Sequence, residues 1–254
     1  MSVKEFKKDN LNVCIFNTRE EMGRKAADDV INIVKELLSK NDEINMVFAA
    51  APSQNEFLDA LVNAEGIDWG RINAFHLDEY IGLPDTAPQR FGNFLKNKLF
   101  SRVKFKTVNY LNGNAENIEE ECQRYEKLLK EHPIDIACIG IGENGHIAFN
   151  DPPVADFEDE HMVKRVTLDE KCRNQQVNDG CFESIDEVPK QALTLTVPAI
   201  FGSKYIYCIV PGKTKATAIK NTLESTIDET CPASILRKHA NAVLYIDKDA
   251  ASLI

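Results

Sequence analysis

An α/β fold of three layers, a Rossmann-like open and mostly parallel sheet with helices on both faces, is what this sequence predicts, on three observations. Short apolar runs alternate with amphipathic helical stretches from one end of the chain to the other. None of those runs approaches the roughly 20 residues a membrane span needs. No Gly/Ser linker, low-complexity stretch or internal repeat divides the 254 residues, so they read as a single domain.

The elements follow in order. Leu11–Phe16 reads as a strand. Thr18 then opens a helix, with Glu21 completing a capping box and Ala26, Val30, Ile33, Val34, Leu37 and Leu38 at helical spacing. Ile44–Ala50 is a second strand, and Ser53 is placed to cap the helix that carries Phe57, Leu58, Leu61 and Val62. Ile72–Leu77 is a third strand, and Pro88–Phe100 a helix with proline in its first turn. Thr107–Leu111 reads as a short strand before a helix over 115–130. Ile134–Ile141 is a strongly apolar strand and Val163–Leu168 a weaker one. Lys204–Val210, with the helix Lys213–Leu223, and Ala242–Ile246 close the pattern. The polar, proline-containing segment Asn150–Glu160 is irregular, and residues 150–190 are read as a lid over an active site.

Composition narrows the function. A formal net charge of −10 argues against nucleic acid or an anionic membrane surface as the main partner. An anionic small molecule remains open, because a few local cations and backbone amides can seat it within a negative protein. The seven cysteines are odd in number and include no C-x-x-C pair, which fits reduced thiols and a cytosolic setting. The opening residues MSVKEFKKDN hold no apolar signal core.

In open parallel sheets, ligands bind beyond the carboxyl ends of the strands. Four strand-end segments therefore draw attention: Ala51–Asn55, His76–Tyr80, Gly140–Asn150 and Pro211–Lys215. Gly140-Ile-Gly142-Glu-Asn-Gly145 matches G-x-G-x-x-G, but Pro152 and Pro153 follow where a dinucleotide site needs a helix. A turn that lets a sugar approach the backbone accounts for it better. Within that turn His146 lies close to Asn144 and Asp151, an arrangement suited to proton exchange near neutral pH, or to a hydrogen-bonded structural histidine. Asp78, on the same strand face as His76, is placed either to act as a general base or to cap a turn. Pro211-Gly-Lys-Thr-Lys215 opens a helix with N–H groups, Thr214 and two lysines, a phosphate seat without the full Walker pattern. Ser53 serves as a cap or as a phosphate donor.

Taken together, these segments resemble the glucosamine-6-phosphate deaminase (isomerase) family. Phe75-His-Leu-Asp-Glu-Tyr-Ile-Gly-Leu83 resembles its D-E-Y-x-G-L segment, and Leu111-Asn-Gly-Asn114 a further stretch. Gly140-Ile-Gly-Glu-Asn-Gly-His-Ile-Ala-Phe-Asn150 resembles its G-x-G-x-[DN]-G-H-I-[AG]-F-N. Order and spacing agree from about residue 12 to 247. The family shares its fold with 6-phosphogluconolactonases, whose sequences continue differently after G-H, so Ile147-Ala-Phe-Asn150 favours the deaminase side.

The resemblance implies a phosphorylated amino-sugar substrate and chemistry without metal or redox cofactor. In it His146 assists opening of the sugar ring, with Asn144 and Asp151 beside it. Asp78 moves the proton between C2 and C1, and ammonia leaves. Lys215 and Ser53 hold the phosphate, and Glu79, Gly142 and Gly145 join the substrate-binding set. Several residues depart from the family pattern. Asp151 stands in place of a glutamate, and Ala50-Ala-Pro-Ser-Gln54 in place of T-G-G-T-P. The arginine-bearing R-F-F segment is missing, with Arg173 the nearest substitute. A lactonase, another hexose-phosphate isomerase or a non-catalytic sugar-phosphate sensor are the alternatives. Neither nucleic acid nor membrane is expected as a partner, and homo-oligomer formation is left open.

Overall fold

The computed structural model describes residues 2–254. Its first strands, β1 (Lys4–Lys8) and β2 (Leu11–Phe16), form an antiparallel pair at the sheet edge. β1 was not foreseen: Lys-Glu-Phe-Lys-Lys carries one apolar residue, and its charges suit an exposed edge. Helix α1 (Arg19–Leu38) begins as the capping box requires, with Thr18 Oγ1 accepting from Glu21 N at 3.2 Å. The Glu21 carboxylate turns back one residue further than expected, to Asn17 N at 3.3 Å.

Next come β3 (Ile44–Phe48), a 3₁₀ turn Pro52–Gln54, α2 (Asn55–Val62), β4 (Ile72–His76), β5 (Asp78–Tyr80) and α3 (Phe91–Leu95). Ser53 lies inside the 3₁₀ turn and makes no capping bond, which corrects its expected role as the N-cap of α2. α3 starts three residues later than expected and runs into a π turn at Lys96–Phe100. The second half adds β6 (Thr107–Asn109), α4 (Ile118–Glu131), β7 (Ile136–Ile139), β8 (Val163–Thr167), α5 (Glu170–Asn178), β9 (Gln191–Leu195) and α6 (Val197–Phe201). β10 (Tyr205–Val210), α7 (Ala216–Glu224) and β11 (Ala242–Asp247) complete the chain.

The main sheet has the order β1-β2-β11-β10-β7-β3-β4-β6, parallel throughout except for the β1–β2 pair. Alternation along each strand feeds two cores. Ile44, Met46 and Phe48 of β3 pack with α1 and α2, while Val47 points to the opposite face. There Ala137 and Ile139 of β7 and Ile206 and Cys208 of β10 meet α4, α6 and α7. Both faces of the sheet are thus covered, giving the three layers expected. A second sheet of order β5-β9-β8, antiparallel, stands beside the first. Val163–Leu168 is thus a strand, as expected, but it belongs to this second sheet, and its partner β9 was not foreseen.

His76 fixes the junction between the sheets. It is fully buried, its Nδ1–H donating to Asp78 O and its Nε2 accepting from Leu111 N, each at 2.9 Å. The Tyr125 hydroxyl accepts from His76 N at 3.0 Å. Burial, only partly offset by the Asp78 carbonyl, lowers the imidazole to about 4 from an ordinary 6.5. The unfolded chain takes up this proton below pH 6.5, whereas the folded chain does not until about pH 4. Stability from His76 is therefore complete above pH 6.5 and is lost as pH falls toward 4, by about 3 kcal/mol. Urea unfolding of wild type and His76→Gln across that window is expected to show the wild type losing more stability than the variant by this amount.

Candidate active site

The four strand-end segments singled out in the sequence converge on one open pocket of about 160 Å³ at the carboxyl edge of the main sheet. Ser53 arrives from the turn after β3, Asp78 from β5, Gly142 and His146 from the loop after β7, and Lys215 from the turn after β10. Gln54 ties the first of these to the sheet, its Nε2 donating to Ile209 O at 3.0 Å.

Asp78 is buried at the start of β5, and among the described residues no group donates a hydrogen bond to its carboxylate. Burial, with the Glu79 charge next in effect, raises its carboxyl well above the ordinary 3.8. A carboxylate in such a setting is a stronger base than one in water. Glu79, its neighbour, points the other way. Its Oε1 accepts from Tyr80 N (2.9 Å) and Phe91 N (3.1 Å), and its Oε2 from Gly92 N (2.9 Å). Glu79 thus holds the start of α3 and does not line the pocket, which corrects its expected place among substrate-binding residues.

His146 lies on Gly142. A Cβ built on Gly142 would fall 2.1 Å from the imidazole, so only glycine allows the ring this position. Asp151 Oδ1 stands 2.8 Å from His146 Nδ1, but off the line of the N–H bond, and the buried Nδ1 lacks an aligned acceptor. Asn144 braces both partners: its Nδ2 donates to Asp151 Oδ1 at 2.9 Å and its Oδ1 accepts from His146 N at 3.1 Å. Burial pulls the Asp151 carboxyl upward, but the nearby His146 imidazole, with the hydrogen bonds of Asn144 and Asp169 N, outweighs it and leaves the group below its ordinary value. Gly145, expected to touch substrate, instead takes φ +86° against Cys231 and lies outside the pocket lining. No helix follows the Gly140–Gly145 turn, only a bridge between Ile147 and Asn150.

The opposite wall is cationic. Lys215 is buried, and among the described residues no carboxylate lies within ion-pair distance of its Nζ. Burial lowers its ammonium below the ordinary 10.5 despite Asp179 and Glu143 nearby. Lys213 does not line the pocket, whereas Thr214 does. Gly212 N is taken by the Asp247 carboxylate at 3.0 and 3.1 Å, so that amide is not free for an anion.

Arg173 does not belong to this wall. Its guanidinium donates to Ile185 O and Val188 O and tethers α5 to the following loop, correcting its proposed substitution for the family arginine. Four residues not foreseen complete the pocket: Arg19, Gln175, Gln176 and Asp179. Arg19 holds Glu56 through Nε and Nη2 at 3.0 and 3.2 Å, leaving Nη1 without a protein partner among the described residues. It follows β2, so the strand-end rule that located the other segments reaches it too. Gln175, Gln176 and Asp179 come from α5 and its C-cap, whose sequence has no apolar stripe to announce a helix.

A family description, glucosamine-6-phosphate isomerases/6-phosphogluconolactonase, matches residues 17–245. Glucosamine-6-phosphate deaminase from Streptococcus equi subsp. equi is 38% identical over 221 residues, spanning 87% of this chain and 92% of that protein. The solved structure of a monomeric glucosamine-6-phosphate deaminase superposes with a TM-score of 0.85 at 34% identity, over 95% of this chain and 99% of the other. The 6-phosphogluconolactonase from Thermotoga maritima shares the fold, with a TM-score of 0.75 at 22% identity over 94% and 100% of the two chains.

Lys215 and Arg173 separate by titration calorimetry with inorganic phosphate. Lys215→Ala is expected to weaken binding by about 1.5–3 kcal/mol, the worth of a charge-assisted hydrogen bond. Arg173→Ala should leave phosphate affinity unchanged.

Proposed function

The chain belongs to the family of glucosamine-6-phosphate isomerases and 6-phosphogluconolactonases, and we propose that it converts glucosamine 6-phosphate and water to fructose 6-phosphate and ammonia. The observation that carries this reading is one pocket lined by His146, a buried carboxylate, Asp78, and a buried cation, Lys215, neither of the last two with a side-chain partner among the described residues. Relatives at this level of identity bearing the deaminase name support it, and so does Ile147-Ala-Phe-Asn150 after Gly145-His146.

In this reading the phosphate sits among Lys215, Ser53, Thr214 and Nη1 of Arg19. Lys215 supplies the main charge and the hydroxyls supply donors. The reacting end of the sugar then lies between Asp78 and His146. His146 moves the proton that converts the ring to the open aldehyde, steadied by Asp151. Asp78 takes the C2 proton and returns it to C1, converting the aldehyde-amine into an imine at C2. Water adds to that imine, ammonia leaves, and the ketose phosphate remains. The raised carboxyl of Asp78 suits this work, because a base must hold the proton between removal and return.

A panel of hexosamine 6-phosphates and 6-phosphogluconolactone, with ammonia and fructose 6-phosphate both measured, tests the assignment. Both products are expected from glucosamine 6-phosphate in equal amounts; lactone hydrolysis without ammonia would move the chain to the other branch of its family. Asp78→Asn should lower turnover by about 10²-fold or more while leaving phosphate binding intact. The acid limb of wild-type turnover should lie above the ordinary carboxylate value of 3.8, because the Asp78 carboxyl is raised and must be ionised to act. His146→Gln should slow ring opening, read directly by comparing the closed substrate with an open-chain analogue. Equal losses for both would remove His146 from that step.

A further inference from the structure

Cys172 is buried on α5, outside the pocket and without a role in the chemistry described above. Its Sγ, a carboxylate oxygen of Asp151 and a ring nitrogen of His146 all lie within 4.8 Å of one another. The imidazole nitrogen on that side is Nδ1, 2.8 Å from Asp151 Oδ1. That same Nδ1 is the buried ring atom with no aligned hydrogen-bond partner, in a side chain more than nine-tenths buried. An unsatisfied buried nitrogen beside a carboxylate, with a thiol of the same cluster within 4.8 Å, is a donor set.

The geometry suits one ion in particular. Bond lengths of about 2.0–2.2 Å to N and O and 2.3 Å to S put tetrahedral zinc donors roughly 3.3–3.6 Å apart. The present separations, from 2.8 Å to at most 4.8 Å, bracket that range and need only side-chain adjustment. Mixed N, O and S donors select zinc over magnesium or calcium, which take oxygen. Outer partners are already in place, with Asn144 Nδ2 on Asp151 Oδ1 at 2.9 Å and Asp169 N on its Oδ2 at 3.4 Å. The carboxylates of Asp151, Asp78 and Asp169 make the surroundings of the thiol negative, which favours a divalent cation. Of the three, His146 alone lines the pocket.

We propose that His146, Asp151 and Cys172 form a three-ligand zinc site at the wall of the sugar-phosphate pocket, and that zinc bound there holds the His146–Asp151 pair out of action. Zinc takes Nδ1 of the neutral imidazole, whose remaining proton sits on Nε2, and the thiolate of Cys172, whose proton leaves to the buffer. Inhibition rests on the proton-transfer role given to His146 above; binding of the ion does not.

The experiment uses the chelator-treated full chain with zinc or cobalt(II) alone, and then with glucosamine 6-phosphate. One zinc per chain should survive dialysis, and the cobalt form should show a near-ultraviolet thiolate-to-cobalt band. Cys172→Ser should abolish that band and weaken zinc binding by at least about tenfold, since loss of even an outer partner costs 10–100-fold. Its zinc-free turnover should stay near wild type, and zinc should no longer inhibit it. Cys181→Ser, a thiol outside the cluster, should change nothing; Cys172→Ala and His146→Gln repeat the binding test if the serine variant does not fold. Unchanged zinc affinity in the Cys172 and His146 variants, or its loss in Cys181→Ser, would overturn the site. Zinc and cobalt binding by a chain that releases no ammonia even when zinc-free would instead overturn the proposed function and leave the site standing.

Discussion

The hydrogen bonds of β9 set the geometry on which everything else in the pocket depends. Leu195 N donates to Leu77 O at 2.8 Å, and the β5–β9 register pairs Asp78 with Thr194. Thr194 Oγ1 accepts from Phe149 N at 3.1 Å, and Leu195 O accepts from Asn150 Nδ2 at 2.8 Å. One short strand therefore grips both the segment that carries Asp78 and the loop that carries His146 and Asp151. Groups that share one reaction site must hold their spacing to a fraction of an ångström. A shared strand does this better than two independent loops.

The same junction explains why the Asp78 carboxyl is held above its ordinary range. At His76 the chain leaves the parallel sheet, and two residues later it enters the antiparallel one. Leu77 alone bridges the two, and His76, Leu111 and Tyr125 close the gap with buried hydrogen bonds. Asp78 thus emerges at a point surrounded by protein yet open to the pocket on one side. Glu79 keeps its own charge occupied by Tyr80 N and by two N–H groups at the start of α3. It adds to the field on Asp78 without competing for the substrate.

The parallel core was legible in the sequence because β3, β7 and β10 are buried on both faces and read as continuous apolar runs. The second sheet was not. β5 is three residues long and sits inside a motif, Asp-Glu-Tyr, that reads as chemistry before it reads as a strand. β9, Gln-Ala-Leu-Thr-Leu, has its two leucines alternating with a buried threonine, so the period-2 signal is weak. Asp78, His146 and Lys215 were found because each follows a recognised strand. Arg19 follows one too, but was hidden by its place in a capping sequence. Gln175, Gln176 and Asp179 depend on α5, whose polar sequence takes its helical shape from the tertiary contacts of Cys172 and the Arg173 tether.

Asp151 shows how a shortened side chain is accommodated. Replacing glutamate by aspartate removes a methylene, and the carboxylate then reaches His146 either by a backbone shift or through water. The contact is direct, at 2.8 Å. The turn that delivers it is unusually tight: Ala148 takes φ +51°, Asn150 N bonds to Ile147 O at 3.1 Å, and Asn150 Nδ2 bonds to the same carbonyl at 2.8 Å. A non-glycine residue in the left-handed region costs on the order of 1 kcal/mol, and it persists where surrounding bonds over-determine it. Here those bonds run through Asn150 to β9, so the strand that places Asp78 also holds the strained turn beneath His146. Asn144, anchored to both His146 and Asp151, keeps the two in step.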